Sequence, residues 1–496
     1  VNLASIIDKH PAERVALISR GKETTYGALR EQVGRFRGGL IGLGLQPGDR
    51  IALLCANNWY FVVSYLASLS AGLVAVPLNP LSPPRELQRE LAAVDARALV
   101  VGPSARASVV QLDVTRLPTL EHIIDCGTPA AGNHLRLDDV MSANTVPLVS
   151  RDPNDLAVLM FTSGTAGAPK AAMLSHGNLL ANLQQSGPGG SRADDVVLGI
   201  LPLFHIFGLG VALGSTLYAG GRIVLLERFD PASAVASVSR WGVTVIAGPP
   251  NMWASFAGLP DVTAEQFRTV RLAVSGAAGL PPSTRALVRE RLGLELAEGY
   301  GLTETAPTVT SSTGSPIRAG SIGRAAPGVE LRLVDERGDD VEPGDPGEIW
   351  VRGPNVFLGY WNDEAATSAA LTPDGWLRTG DVAAVDDDGY FYLVDRIKDL
   401  IIVSGFNVYP AEVEAALLEH PSVAGAAVVG VAHPHTGEAV KAFVVPVAEH
   451  SVEEDDIINF CGQRLARYKC PSKIEFVDAL PEGVAGKLVR RELRDR

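Results

Sequence analysis

The chain is predicted to fold as an α/β protein: a large N-terminal domain of doubly wound α/β subdomains plus an antiparallel β subdomain, and a small C-terminal α/β domain. Three observations lead there. With 496 residues it exceeds one ordinary hydrophobic core. Short apolar runs alternate with helical stripes through the first half, the signature of parallel strands joined by crossovers. After Gly320 the texture changes to strand-like pairs around acidic turns, and beyond residue 395 the alternation resumes.

Tyr26, Leu29, Val33, Phe36 and Leu40 recur at helical spacing, and Leu45-Gln-Pro-Gly-Asp49 ends the run. Ile51–Cys55 reads as a strand, Trp59–Ser70 as a helix and Leu73–Pro77 as a strand, which implies a right-handed crossover between parallel strands. Val196–Gly221 is long and uncharged. It also holds Pro202, His205 and several glycines, so it reads as a buried strand and helix rather than a membrane span. Val243–Ala247 and Leu272–Ser275 repeat the strand pattern, each followed by Gly or Pro turns, which places ligands at the carboxyl ends of strands. Glu330–Val334 and Glu348–Val351 are strand-like. Val382–Val385 and Tyr390–Val394 flank Asp386-Asp-Asp-Gly389, a hairpin turn. Pro410–Leu418 opens a helix on proline. Val423–Val431 and Val440–Pro446 are strands, and Ser451-Val-Glu-Glu454 is a capping box that starts another helix.

Composition narrows the function. A formal charge of −13 argues against nucleic acid or an anionic membrane as partner. The basic residues Arg490, Arg491 and Arg494 read as a solvated helix end. Cys55, Cys126, Cys461 and Cys470 show neither metal-ligand spacing nor a dense disulfide pattern. Their scarcity, with no signal-peptide pattern, fits a reducing, cytoplasmic setting.

The most informative stretch is Phe161-Thr-Ser-Gly-Thr-Ala-Gly-Ala-Pro-Lys170, directly after the apolar run Leu156–Met160. Glycines let backbone N–H groups approach a ligand, hydroxyls add donors, and Lys170 adds positive charge, which suits phosphate oxygens. It is neither a Walker A loop, since Ala171 follows Lys170, nor a nucleophile elbow, since Phe161 and Thr165 flank Ser163.

Other motifs follow in order: Leu201-Pro-Leu-Phe-His-Ile-Phe-Gly208, Ser275-Gly-Ala-Ala-Gly279, Tyr300-Gly-Leu-Thr-Glu304, Arg378-Thr-Gly-Asp381, Asp395-Arg-Ile-Lys-Asp399 with Ser404-Gly405, and Gly486-Lys487. Together with the loop they resemble the adenylate-forming superfamily of acyl-CoA and aryl-CoA synthetases, luciferases and peptide-synthetase adenylation domains. The acyl-CoA synthetase and fatty-acid–CoA ligase branch is the nearest in pattern. Three positions depart from it. Ala166 replaces a usual threonine, Ala171 a usual glycine, and Glu482-Gly483 the usual Lys/Arg-Thr, which puts a negative charge near Lys487.

The resemblance implies ATP, Mg²⁺ and CoA, with an N-terminal AMP-binding domain over 1–394 (its β subdomain about 320–394), a hinge at 395–398 including Lys398, and a mobile lid over 399–496. Thr162, Ser163, Gly164, Thr165, Gly167 and Lys170 would hold the β- and γ-phosphates. Glu304 would ligate Mg²⁺ and Thr303 would contact the α-phosphate. Asp381 would accept the ribose hydroxyls, and Arg396 would reach ribose or phosphate. Gly276, Ala277 and Tyr300 would flank adenine, with Ala278, Gly299, Gly301 and Leu393 in the same nucleotide-binding set. Lys487 would stabilise charge as the carboxylate attacks the α-phosphorus. A rotated lid would bring Ser404 and Gly405 to the site. At Gly405 a side-chain-free path for pantetheine and a simple β-bulge glycine stand as equal readings.

His205 sits where amino-acid adenylation domains keep an aspartate, which points to an acid without an α-amine; a satisfied core histidine is the other reading. Ala277, Ala278, Gly279 and Gly299 are small and leave room for a medium or long fatty chain, while an aromatic acid fits the same local pattern. The short stretch from Tyr360 to Arg378 favours CoA over an acyl carrier protein. A monomer or homodimer is expected. A rival reading exists: Gly208-x-Gly210-x-x-x-Gly214 before Ile223–Leu226 and Glu227 imitates the dinucleotide fingerprint of an NAD-dependent oxidoreductase.

Overall fold

The computed structural model describes residues 1–129, 131–141, 144–162, 170–185, 189–335, 337–342, 344–396, 401–408, 410–447, 453–481 and 493. Four sheets organise them. The first has seven strands in the order Leu135–Arg136, His122–Asp125, Ala98–Val101, Arg50–Leu54, Val74–Pro77, Leu156–Thr162 and Lys170–Ser175. All its pairings are parallel except the last. The helix Trp59–Ser70 crosses between Arg50–Leu54 and Val74–Pro77, as the spacing predicts. Asn58 caps it, accepting from the Phe61 N–H, and it is buried along almost its whole length.

The second sheet has nine strands, ordered Arg324–Ala325, Thr308–Ser311, Leu296–Gly301, Leu272–Ser275, Val245–Gly248, Val196–Gly199, Arg222–Leu225, Val15–Ser19 and Lys22–Thr25. Its centre is parallel and its edges antiparallel. One apolar core joins residues of both sheets and reaches Leu333, Ile349 and Phe391 of the third. That third sheet, Glu330–Val334, Gly347–Arg352, Leu377–Val385 and Phe391–Arg396, is antiparallel throughout. Its last pair is the hairpin expected around Asp386–Gly389.

A fourth sheet forms the C-terminal lobe: Phe406–Val408, Ile401–Val403, Gly437–Pro446 and Val423–His433, with Lys473–Phe476 parallel on Gly437–Pro446. The helix Pro410–Leu418 packs on it. The following helix begins at Glu454, with Glu453 as a cap that makes no side-chain bond, so the capping box expected at Ser451 is corrected. Ser451 itself lies outside the described residues. Three acids in the first turn, Glu454, Asp455 and Asp456, face the positive end of the helix dipole instead.

Val196–Gly221 is a strand to Gly199 and then, from Phe207 to Gly214, π-helical turns running into the α-helix Ser215–Ala219. A Cβ on Gly208 would lie 2.1 Å from the Pro202 carbonyl oxygen, and one on Gly210 would lie 2.8 Å from Pro307 Cδ. These glycines serve close packing. They do not form the tight strand-to-helix turn that a dinucleotide pyrophosphate requires, which overturns the oxidoreductase alternative. Among the described residues no helix is long and apolar enough to cross a membrane. All four cysteines are free.

Candidate functional site

The strand Leu156–Thr162 turns back antiparallel into Lys170–Ser175, pairing Thr162 with Lys170. Ser163, Gly164, Thr165 and Gly167 lie outside the described residues, but both ends of their loop are placed. Thr162 Oγ1 donates to the Lys170 carbonyl at 3.4 Å, and the Lys170 ammonium lies 5.5 Å from the centre of the Tyr360 ring. Thr162, Lys170, Thr303, Glu304, Tyr360 and Asp381 line one cavity of about 440 Å³.

Two carboxylates in that cavity are held by phenols. The Tyr360 hydroxyl donates to Glu304 Oε1 at 2.6 Å. Glu304 sits in the single helical turn Thr303–Thr305 that follows strand Leu296–Gly301. The Tyr300 hydroxyl donates to Asp381 Oδ2 at 2.7 Å, and Asp381 is 6 % exposed. Asp381 lies on strand Leu377–Val385, in register with Arg396 of the neighbouring strand. The carboxylates therefore come from different subdomains and are fixed by hydrogen bonds before any ligand arrives.

A second cavity, about 360 Å³, adjoins the first; His205, Leu302 and Thr303 line both. Its wall contains Gly276, Ala277, Gly299, Tyr300 and Gly301, and its apolar part includes Val211, Ala212, Val245, Ala247 and Val274. Gly276 has no room for more: a Cβ there would lie 3.1 Å from Phe207 Cζ. Ala277 takes φ +68, an uncommon conformation for alanine that marks a constrained site loop. Ala278, Leu393 and Ser404 line neither cavity.

His205 is largely shielded, and burial lowers its pKa to about 4, so it is neutral at physiological pH. Its Nδ1 accepts from the Phe207 N–H at 3.2 Å, which leaves the ring proton on Nε2. A neutral imidazole offers no anion for a substrate ammonium.

Gly405 is not a β-bulge. Ser404 (φ +53) and Gly405 (φ +84) are the two central residues of a hairpin between Ile401–Val403 and Phe406–Val408, as in a type I′ turn. The hairpin tip reaches the large lobe. A Cβ on Gly405 would lie 3.1 Å from Pro249 Cβ and 3.5 Å from Ala277 Cβ, and Gly405 borders the second cavity. Phe406 stacks between Phe204 (centroids 6.3 Å) and Tyr468 (4.4 Å), with its ring edge-on to His205 at 5.9 Å. The aromatic set and Tyr360 were not among the sequence expectations. Tyr360, in Gly359-Tyr-Trp361, was open to notice as a motif; the three-ring contact joins segments too distant for any local pattern.

Among the described residues no three ligating side chains converge, so Mg²⁺ would be held by Glu304 with phosphate oxygens, as suits a hard cation. Lys487 and the hinge residue Lys398 lie outside the described residues.

The model of the AMP-binding enzyme family matches residues 3–361, and that of the AMP-binding enzyme C-terminal domain matches 412–487. The chain belongs to the AMP-binding enzymes. It is one of their acyl-CoA synthetases, AMP-forming acid–thiol ligases that use ATP, Mg²⁺ and CoA. Among its relatives are a long-chain-fatty-acid–CoA ligase of Yersinia pestis, 38% identical over 98% of this chain and 92% of that protein. A feruloyl-CoA synthase of Amycolatopsis is also 38% identical, over 96% of this chain and 94% of that one. The solved amide bond synthetase from Marinactinospora thermotolerans superposes with a TM-score of 0.90 at 33% identity, covering 100% of this chain and 99% of that one. This AMP-binding enzyme therefore carries out adenylate-forming acyl- or aryl-CoA ligase chemistry.

Proposed function

We propose that the protein activates a medium- or long-chain fatty acid as its adenylate and passes the acyl group to the CoA thiol. In the first step a carboxylate oxygen bonds to the α-phosphorus of ATP as pyrophosphate leaves. In the second the thiol sulfur bonds to the acyl carbon, loses its proton, and AMP departs. Bound Mg²⁺ would neutralise phosphate charge. Everything else is positioning and electrostatics by this chain. Thr162 and Lys170, with the loop Ser163 to Gly167, take the β- and γ-phosphates. Thr303 meets the α-phosphate, Glu304 holds the cation, Asp381 takes the ribose, and Gly276, Ala277 and Tyr300 take adenine. Lys487 supplies the charge that assists attack, carried by a lobe that swings about residues 395–398.

One observation carries this reading: the cavity holding Lys170, Glu304 and Asp381 opens into an apolar one at Thr303, with Gly405 beside the junction. A carboxylate seated there has its chain in the apolar part and its oxygen toward the phosphates. That Gly405 of the small lobe and Ala277 of the large one line the same cavity supports the present lobe arrangement as the one for thiol capture. The neutral His205 favours an acid without an amine. Each methylene buried in the Val211–Ala212 region contributes about 0.8 kcal/mol, enough to select chain length.

An aryl acid is the second reading, favoured by the Phe207 ring against Gly276 and by the feruloyl-CoA synthase relative. The test is mass spectrometry of products from a panel of fatty and aryl acids with ATP and Mg²⁺, with CoA and with an acyl carrier protein. Acyl-CoA and AMP from fatty acids are expected. Turnover of aryl acids alone selects the second reading; AMP from no acid at all refutes both.

A further inference from the structure

The two lobes meet over a group of charges that lines the same cavity as Lys170, Glu304 and Asp381 and has no role in the reaction proposed above. Lys469 follows Tyr468 in the C-terminal lobe. Its ammonium lies 2.7 Å from Glu86 Oε1, on the large-lobe helix Pro84–Ala93, and 2.9 Å from Glu412 Oε1 on its own lobe. Glu90, one turn after Glu86, faces the same group and is 7 % exposed. Two carboxylates thus hold the ammonium, and a third, buried on the same helix as Glu86, lies beside them. The Oε2 atoms of Glu86, Glu90 and Glu412 are buried without a hydrogen-bond partner.

The nearby arginines are bound elsewhere, and of them only Arg89 acts on the group, through Glu412. Arg89 binds Glu419 at 2.7 Å, Arg464 binds it at 3.2 Å and Arg85 approaches it at 3.9 Å. Tyr468 and the thiol of Cys470, the other titratable groups against Lys469 and Glu86, are both pushed toward their neutral forms by burial. Arg467 acts on Cys470 from the same turn. Removing three negative charges from water against one positive charge is unfavourable unless a carboxyl group takes up a proton.

We propose that Lys469 is a positioning residue for thiol capture, clamping the C-terminal lobe onto helix Pro84–Ala93, and that the clamp closes with a proton on Glu90. Burial first, and Glu86 second, push the Glu90 carboxyl well above the usual carboxylate range in the closed arrangement. With the lobe lifted away, Lys469 and Glu412 leave with it, and Glu90 returns to water and its ordinary value. Closure therefore takes up a proton. Its contribution is complete below the ordinary carboxylate range and is lost as pH rises through the raised value of the closed form. The inference rests on the two-step reaction proposed above.

The test uses the full chain and measures both half-reactions: ATP–pyrophosphate exchange for adenylation, and single-turnover capture of a supplied acyl-adenylate by thiol. Capture is compared between wild type and Glu90→Gln from about pH 6 to about pH 9, so that thiol ionisation cancels in the ratio. The expected ratio of variant to wild-type rate is smallest at low pH and climbs, by at most about tenfold per pH unit. A flat ratio overturns the role of Glu90. Lys469→Gln is expected to slow capture about 10²-fold, with CoA and with a short thiol lacking the nucleotide, and to leave exchange within about twofold. Equal loss in both half-reactions, or a loss confined to CoA, overturns the clamp. Absence of exchange in the wild type fails the proposed function instead.

Discussion

The large-lobe and small-lobe sides of this site are built differently. On the large lobe, Asp381 and Glu304 are held by Tyr300 and Tyr360 at hydrogen-bond distance, on strands and turns rooted in one continuous core. On the other side, the C-terminal lobe has a separate core and meets the site through a hairpin tip, stacked rings and ion pairs. Preorganised hydrogen bonds suit a nucleotide that must always sit the same way. Ring stacking and a glycine tip suit a surface that arrives and departs, because little is left unsatisfied when it goes. Under the proposed function, the contrast divides nucleotide handling on a fixed frame from acceptor handling on a movable one.

The largest expected effect tests the movable side. Lys487→Ala should slow adenylation about 10²–10³-fold, the usual loss for one preorganised charge donor, while capture of supplied adenylate is largely spared. Measuring pyrophosphate exchange beside single-turnover capture decides it, and parallel losses would erase the contrast. Next comes Gly405→Leu. A side chain at φ +84 costs about 1–2 kcal/mol of strain, and its Cβ would meet Pro249 at 3.1 Å. Capture should fall about tenfold or more with exchange unchanged; normal thioester formation would take Gly405 out of the acceptor path. A comparable effect sharpens the fixed side. Tyr300→Phe removes one hydrogen bond to a buried carboxylate, worth about 1.5–3 kcal/mol. It should raise the KM for ATP about tenfold or more and leave the thiol step alone in capture assays.

Much of the frame was legible in sequence. The crossover around Trp59–Ser70 and the strand Leu272–Ser275 stand where the apolar runs put them, because burial on both faces leaves a continuous hydrophobic signature. Asp381, Glu304 and Lys170 were found through short motifs, and the structure brings them to one cavity. Beyond Tyr360 and the stacked rings, three more things escaped. The true start of helix Glu454–Gly462 did, because a capping-box pattern competes with plain dipole matching. The hairpin identity of Gly405 did, because a lone glycine does not say which positive-φ turn it serves. The Lys469 cluster escaped because Glu86 and Lys469 are 383 positions apart and only the docked lobes bring them together.

Under the proposed function, the π-helical stretch beside the second cavity has a consequence for retooling the enzyme. Gly208 and Gly210 lie so close to Pro202 and Pro307 that neither tolerates a methyl group, and a Cβ on Gly214 would lie 3.0 Å from Leu183 Cδ2. Val211 and Ala212, in the same turns, line the second cavity. A breeder of new specificities, natural or human, therefore has two adjustable pegs on an otherwise immovable rail: shaving Val211 deepens the berth for the acid, and enlarging Ala212 shortens it.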